Sequence, residues 1–477
     1  MTRQEPGGLV VVLDLGKSNA KLTVLDRATG RECASLRRPT APTDGMPREL
    51  GLPAIEAWIV SSLASLPGRE QIEAIVPVAH GAACVMLDHE GRVLLAPDYE
   101  DPVFDSEAHA YAARRDPFAL TFSPLLPLGL NLGRQLHTVA TRLPGLFGQV
   151  SMIMPLAQYV AWFLSGVAAS EVTSLACHTD LWCPAQGCFS PLAESAGWSR
   201  LFPPLRAAGD RLGSLRPALA DRCGLPPGCS VLCGIHDSNA SWYRHRVARG
   251  PGARFSVISS GTWTIVLSSG TPPGALRPEC DMLANVDATG ALVGTARFMG
   301  GREYEAVAGS QAPPPDRAGL GHAALARAAL DRAALDRAAL DRALACGARV
   351  DPCFAPGGQF PGAKGRVVGG DALDPAARAA LASLYVALLA SHALDLLRAE
   401  GDIVIDGPLA RNPLFASLLA TLRAGAPVLL GGEGSGSAGG AYALLTGRLP
   451  DDAGLAPVAA LGDAPAIREQ ARRWGIA

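Results

Sequence analysis

The sequence predicts a mixed α/β chain built from two similar halves, and three observations carry that reading. Two segments about half a chain apart share one plan. Apolar strands alternate with helical stretches in the first half and again near the end. The composition can fill a core of that size, since 48% of the 477 residues are hydrophobic against 18% charged, a balance far from that of a disordered chain. The length suits about three ordinary domains or two large α/β units.

The first of the paired segments, Leu9 to Asp26, reads as an apolar strand (LVVVLDL), a small polar turn (GKSN) and a second strand (KLTVLD). The second, Phe255 to Leu267, repeats this as FSVIS, a Ser259-Ser260-Gly261-Thr262 turn and WTIVL. Both are β-hairpins by pattern, β-branched runs broken by turn-forming residues. Gly16 and Gly261 lie 245 residues apart, so one hairpin per half is expected. The boundary falls between Arg246 and Arg254, where VARGPGA reads as a linker. The domains expected are therefore 1–246 and 254–477.

Between the hairpins the pattern predicts a helix over Leu50 to Leu66, a strand over Ile72 to Ala79, a turn at His80-Gly81 and a strand over Ala82 to Leu87. The uncharged stretch from Leu143 to Ser170 is long enough to span a bilayer. Its internal Pro and Gly residues and the even spread of flanking Arg instead favour a buried helix from Pro155 to Leu164. Late in the chain a helix is expected over Arg378 to Ala399 and a short strand over Ile403 to Ile405. The next helix starts at Asn412-Pro413, Asn as cap and Pro at the first helical position. A strand from Pro427 to Leu430 leads into the glycine-rich loop GGEGSGSAGGA and a helix over Tyr442 to Leu445. The A-A-L-D-R repeat of Ala323 to Ala345 is helical by composition, but five residues turn a helix by about 500°, so its leucines make no single stripe.

The formal net charge of −2 leaves no electrostatic footprint for DNA or RNA. Eleven cysteines include no C-x-x-C pair and fit no zinc-finger spacing. Asp14 interrupts the N-terminal apolar run too early for a secretory leader. A reducing cytoplasm is the compartment these facts lead one to expect, with no membrane or nucleic-acid partner.

Three stretches hold candidate chemistry. Only three of 42 basic residues are Lys, and Lys17 and Lys21 both fall in the first hairpin, where turn amides and an ammonium suit a polyphosphate. Chance in an Arg-biased chain explains the same fact. Gly434-x-Gly436-x-x-Gly439 fits the dinucleotide fingerprint and keeps an oxidoreductase open, but the 38 residues after Gly439 are too few for the rest of that fold. Gly234-Ile235-His236-Asp237-Ser238-Asn239 follows a strand and precedes a helix. Asp237 there is either a helix cap or a base for a substrate hydroxyl. His80 and Asp101 read equally well as a turn histidine and a loop carboxylate.

Taken together these strings resemble the FGGY family of carbohydrate kinases. LDLGKSNAKLTVLD is similar to its first phosphate motif and SSGTWTIV to its second; GIHDSNAS resembles the segment with the catalytic Asp, and VAHG with YED the sugar-contacting stretches. RFMGGRE, DGPLARNPLF and GSGSAGGAYALL resemble its connecting and adenosine motifs. The resemblance implies two ribonuclease-H-like domains of the superfold shared by actin, hexokinase and the heat-shock chaperone ATPases, with ATP and sugar meeting between them. By the same resemblance Asp237 is the general base, with His236, His80, Gly81 and Asp101 at the sugar. Asp14 and Asp237 hold Mg2+, through water. Gly16, Lys17, Ser18, Asn19, Gly261 and Thr262 surround the phosphates, and Gly407, Pro408 and Asn412 border the adenosine. Lys17 stands where many members carry Thr, and Tyr99 where many carry Trp.

The acceptor implied is a ketose, of the L-rhamnulose or L-fuculose type, with pentuloses next. Oligomeric state is left open, a homodimer being one option. An actin-like or chaperone-like ATPase is the rival within the superfold.

Overall fold

The computed structural model describes residues 8–261, 263–309, 336–432, 436–462 and 464–474. The chain forms two compact units. The first comprises Met1–Pro251, Ala284–Leu292 and Gly434–Ala453; the second comprises Gly252–Leu283, Val293–Glu433 and Gly454–Ala477. The units are therefore not two uninterrupted halves of the sequence.

In the first unit, strand Leu9–Leu15 pairs antiparallel with Asn19–Asp26 and parallel with Ile72–Ala79. Glu32–Pro39 extends the sheet on one side. On the other, Ser230–Leu232 and then Ile235–His236 run parallel to Ile72–Ala79, and Arg211–Ser214 forms the edge. Side chains on a strand alternate between faces. Val11, Leu13 and Leu15 accordingly join one core, with Ile59 and Leu63 of helix Leu52–Ser65 and Val160 and Leu164 of helix Leu156–Ser165. Val10 and Val12 join the opposite core, with Ala240 of helix Asp237–Arg249 and Ala441 and Tyr442 of helix Gly436–Thr446. Each such aliphatic side chain, fully buried, contributes about 1.5–3 kcal/mol. A smaller sheet, Val93–Leu95, Cys84–Leu87 and Met152–Pro155, carries a third core rich in aromatics.

The second unit repeats the plan. Phe255–Ser260 pairs antiparallel with Thr264–Ser269 and parallel with Asp402–Asp406, which is followed by Val428–Leu430. Helix Pro375–Leu396 starts at Asp374, whose carboxylate accepts from the Ala377 amide at 2.8 Å. Among the described residues it is the one helix long and apolar enough to cross a membrane, yet most of it is buried. The uncharged stretch 143–170 does not form one helix: it divides into helix Pro144–Phe147, strand Met152–Pro155 and helix Leu156–Ser165. Of the A-A-L-D-R tract, residues up to 335 lie outside the described residues, and 336–345 are helical with Leu340 buried.

Candidate active site

The alternation that buries Val10 and Val12 puts Asp14 on the same face, the one covered by helices Asp237–Arg249 and Gly436–Thr446. Its strand partner is Lys21. Ser437, at the start of the second helix, donates its hydroxyl to Asp14 Oδ2. Burial pushes the Asp14 carboxyl up to about 6; the Ser437 bond opposes this, the negative charge of Asp237 reinforces it and Lys21 opposes it.

Asp237 is the first residue of its helix, where the dipole favours an anion. The chain reaches it through Gly234, at φ +88°, where a Cβ would lie 2.5 Å from the Pro77 carbonyl oxygen. The Gln158 amide holds this approach by donating to the Cys233 and Gly234 carbonyls at 3.3 and 3.1 Å, and the His236 amide donates to Thr173 Oγ1 at 3.1 Å. The carboxylate stays one-third exposed. Its Oδ1 accepts from Ser238 Oγ at 3.0 Å and lies 3.1 Å from His236 Nε2. Asp237 thus starts the helix with Oδ1 held by the Ser238 amide and hydroxyl and by His236.

His80 and Gly81 lie beside this pair. His80 donates Nδ1–H to the Gly81 carbonyl at 3.0 Å, which leaves Nε2 as an acceptor, and packs edge-on to Tyr99 at 5.6 Å. Burial holds both His80 and His236 below the ordinary histidine range. A Cβ on Gly81 would come 2.6 Å from Cys177 Sγ and 3.0 Å from His236 Nε2, so only glycine fits there.

Two expected ligands are otherwise engaged. Lys17 pairs with the fully buried Asp98 and, at 3.4 Å, with Glu100, and its ammonium lies 5.0 Å over the Tyr99 ring. Asp101 accepts from the amides of Arg48 and Val103 at 2.5 and 2.8 Å, capping the short helix Pro102–Glu107. Arg48 also reaches Asp98 at 3.4 Å. Two cations and three carboxylates therefore knit the Lys17 turn to the Tyr99 loop. The turn itself is closed by the Gly16 amide donating to Asn19 O at 3.0 Å, and Ser18 and Asn19 are exposed.

In the second unit, Gly261 follows strand Phe255–Ser260, and Thr262 lies outside the described residues. Ser260 Oγ donates to Asp406 O at 2.7 Å and accepts from the Leu409 amide at 2.9 Å. Gly407 sits at φ +77°, where a Cβ would be 2.3 Å from Ser260 O; Pro408 opens a single helical turn after it. Asn412 is buried and uses both ends of its amide internally, accepting from Phe415 N at 3.0 Å and donating to Ser383 Oγ at 3.0 Å. Gly407 and Asn412 shape this corner by backbone conformation and capping.

The glycine-rich run is shorter as a loop than the sequence suggests, because the helix already begins at Gly436. A Cβ on Gly440 would meet Ala240 O at 1.7 Å, and one on Gly436 would meet Ser241 Oγ at 2.8 Å. Gly436 and Gly440 let two helices approach, and of the fingerprint glycines Gly436 serves that packing. Sequence reading missed Asp98, Cys177, Asn239 and Ser437 as members of the cluster.

Two hairpin-centred α/β units and an acid pair set at strand ends define a phosphotransferase-like protein. Residues 252–453 match the C-terminal domain of the FGGY carbohydrate kinases. The solved structure of a carbohydrate kinase from Novosphingobium aromaticivorans is 34% identical, with a TM-score of 0.87 over 98% of this chain and 100% of that one. The chain belongs to the FGGY carbohydrate kinase family, phosphotransferases whose acceptor is a sugar hydroxyl. Xylulose kinase from Rhodospirillum rubrum shares the fold, with a TM-score of 0.75 and 19% identity over 98% of this chain and 97% of that one. L-fuculokinase from Haemophilus influenzae is 30% identical over 138 residues, 28% of each chain. L-fuculokinase from Salmonella typhi is 25% identical over 275 residues, 54% of this chain and 56% of that one. The matched stretches thus span at most little more than half of those two relatives.

Proposed function

We propose that this chain transfers the γ-phosphate of ATP to a hydroxyl of a ketose, with a 6-deoxyketohexose of the L-fuculose or L-rhamnulose type as acceptor. The names of the two sequence relatives support the acceptor class. Asp237 carries the chemistry: a partly exposed carboxylate at a helix start, held on one oxygen, with its other oxygen available to take the proton of the attacking hydroxyl. His80 Nε2 offers an acceptor to a neighbouring sugar hydroxyl, and Gly81 keeps the floor low enough for the ring. Exclusion of water and alignment of hydroxyl and phosphate supply most of the acceleration, since little covalent work falls to the protein.

The residues present fit a magnesium ion. The negative charge of Asp237 adds to the cost of ionising the buried Asp14, a strain a divalent cation relieves. Among the described residues no three acidic, His or Cys groups converge as a full cage, which suits an ion that keeps several waters and is shared with phosphate oxygens. Asp14 and Asp237 would hold it, and it would supply charge neutralisation on the phosphates. We assign the backbone of Gly16–Asn19 and of Gly261 to the phosphates, and Gly407 and Pro408 to the adenosine.

The test is a panel of 6-deoxyketohexoses, pentuloses and aldonates with MgATP, read by ADP release and product mass. Asp237→Asn, with its fold checked by melting, is expected to lose roughly 10²–10⁴ in turnover. Turnover within a few-fold of the parent would remove Asp237 from the role of base. A panel with no phosphorylated ketose would overturn the acceptor.

A further inference from the structure

Asp237 leans on one partner whose proton position is not self-evident. His236 Nε2 lies 3.1 Å from Asp237 Oδ1 and 3.3 Å from Cys177 Sγ, so this nitrogen faces one strong acceptor and one weak donor-acceptor. The opposite ring nitrogen, Nδ1, lies 3.1 Å from Asn239 Nδ2. An amide nitrogen can only donate, so Nδ1 must accept, and the single proton of a neutral imidazole then sits on Nε2. In the other amide orientation Nδ1 would carry the proton, and a bare Nε2 would confront the Asp237 carboxylate lone pair to lone pair. A charge-assisted N–H to carboxylate bond is about twice as strong as a neutral one. It therefore outweighs what Cys177 S–H could give to a bare Nε2.

We propose that Asn239, three residues on and one helical turn above His236, is a positioning residue that sets the His236 tautomer, so that Nε2–H clamps one oxygen of Asp237 and turns the other toward the acceptor hydroxyl. The proposal rests on Asp237 being the base. Asn239 is almost fully buried in the first turn of the helix and touches neither substrate nor phosphate in this scheme. Its effect passes through the imidazole ring. The backbone of His236 is fixed separately by Thr173, whose hydroxyl in turn donates to the buried carboxylate of Glu171 at 2.5 Å.

The first measurement is read on the parent enzyme, with one variant used only for assignment. In the ¹⁵N-histidine-labelled enzyme at neutral pH, the ring signals of His236, assigned by the His236→Gln spectrum, should show a protonated Nε2 and a bare Nδ1. A proton on Nδ1, or on both nitrogens, overturns the proposal while leaving sugar-kinase activity and the role of Asp237 untouched. The second measurement uses two substitutions. Asn239→Asp is isosteric but offers only acceptors, so it pulls the proton to Nδ1; turnover should fall at least tenfold, with KM for ATP within threefold. Asn239→Ala leaves the choice to Asp237, and the loss should stay under fivefold. A residue that merely packs would give the reverse order, Ala worse than Asp, and that result would also overturn the proposal. Should either variant fail to fold, the ring spectrum of the parent still decides. Failure of the base assignment itself would show as an active Asp237→Asn.

Discussion

Ser437 donates its hydroxyl to Asp14 across 423 positions of sequence. That bond ties the Asp14 carboxylate to a helix which itself lies against the helix bearing Asp237, so three distant segments set one acid pair. The carboxyl of Asp14 is held at about 6 chiefly by burial. Below pH 4 it is protonated in folded and unfolded chains alike. Between about 4 and 6 the unfolded chain releases the proton and the folded chain keeps it, so stability falls as pH rises; above 6 a constant penalty remains, on the order of 2–3 kcal/mol. Asp14→Asn should therefore raise the melting temperature by several degrees at pH 7.5 and change it little at pH 4, while abolishing turnover. Equal melting at both values would contradict the burial argument.

Magnesium affinity should follow the same group. An ion held by Asp14 displaces its proton, so calorimetric titration near pH 6 should show proton release that fades by pH 8 and is absent in Asp14→Asn.

Gly440 predicts a steric result. Adding one methyl places carbon 1.7 Å from Ala240 O, and overpacking of this kind costs about 1–3 kcal/mol. Gly440→Ala should lower the unfolding free energy, measured by chemical denaturation, by that amount and also weaken turnover, because the displaced helix carries Ser437. A variant as stable as the parent would show that the helices can part freely.

Lys17 separates two roles. A phosphate ligand would, when truncated, raise KM for ATP; a residue that anchors the Tyr99 loop through Asp98 would raise KM for the sugar. The observed pairing with Asp98 and Glu100 favours the second. Lys17→Ala is expected to raise the sugar KM about five- to tenfold and the ATP KM less than twofold, measured by steady-state kinetics over both substrates.

A last prediction concerns the aromatic core of the first unit. Arg115 meets Asp180 through two bonds, Nε to Oδ2 at 3.0 Å and Nη2 to Oδ1 at 2.7 Å, and Tyr111 donates to Oδ2 at 2.6 Å. Removing the charge strands a largely buried guanidinium, so Asp180→Ala should cost about 3–5 kcal/mol in chemical denaturation. A loss below 1 kcal/mol would show that water replaces the carboxylate.

The two hairpins, the strand Ile72–Ala79 and the Asn412 cap were legible because each is a local pattern: β-branched runs, turn residues, an Asn-Pro pair. The glycine-rich run misled for the same reason. Gly440 answers to the carbonyl of Ala240, some 200 residues away, and the local string looks alike whether glycine makes room for phosphate or for another helix. Lys17 stood out as a rare lysine, but its partner Asp98, 81 positions on, could not be read from the turn. Cys177 carries no motif of its own, and Asn239 sits in the GIHDSN string with no role to be read there; the folded contacts with His236 give both a place.

The first unit contains Gly434–Ala453, and this has a consequence for how the protein is made. Val10 and Val12 wait for Ala441 and Tyr442 to complete their side of the sheet. At typical synthesis speeds of roughly 5–20 residues per second, the 202 positions between Pro251 and Ala453 delay that closure by about 10–40 s. Throughout that interval only helix Asp237–Arg249 covers this face of the sheet, and a nascent chain keeps the rest of the valine-rich surface open.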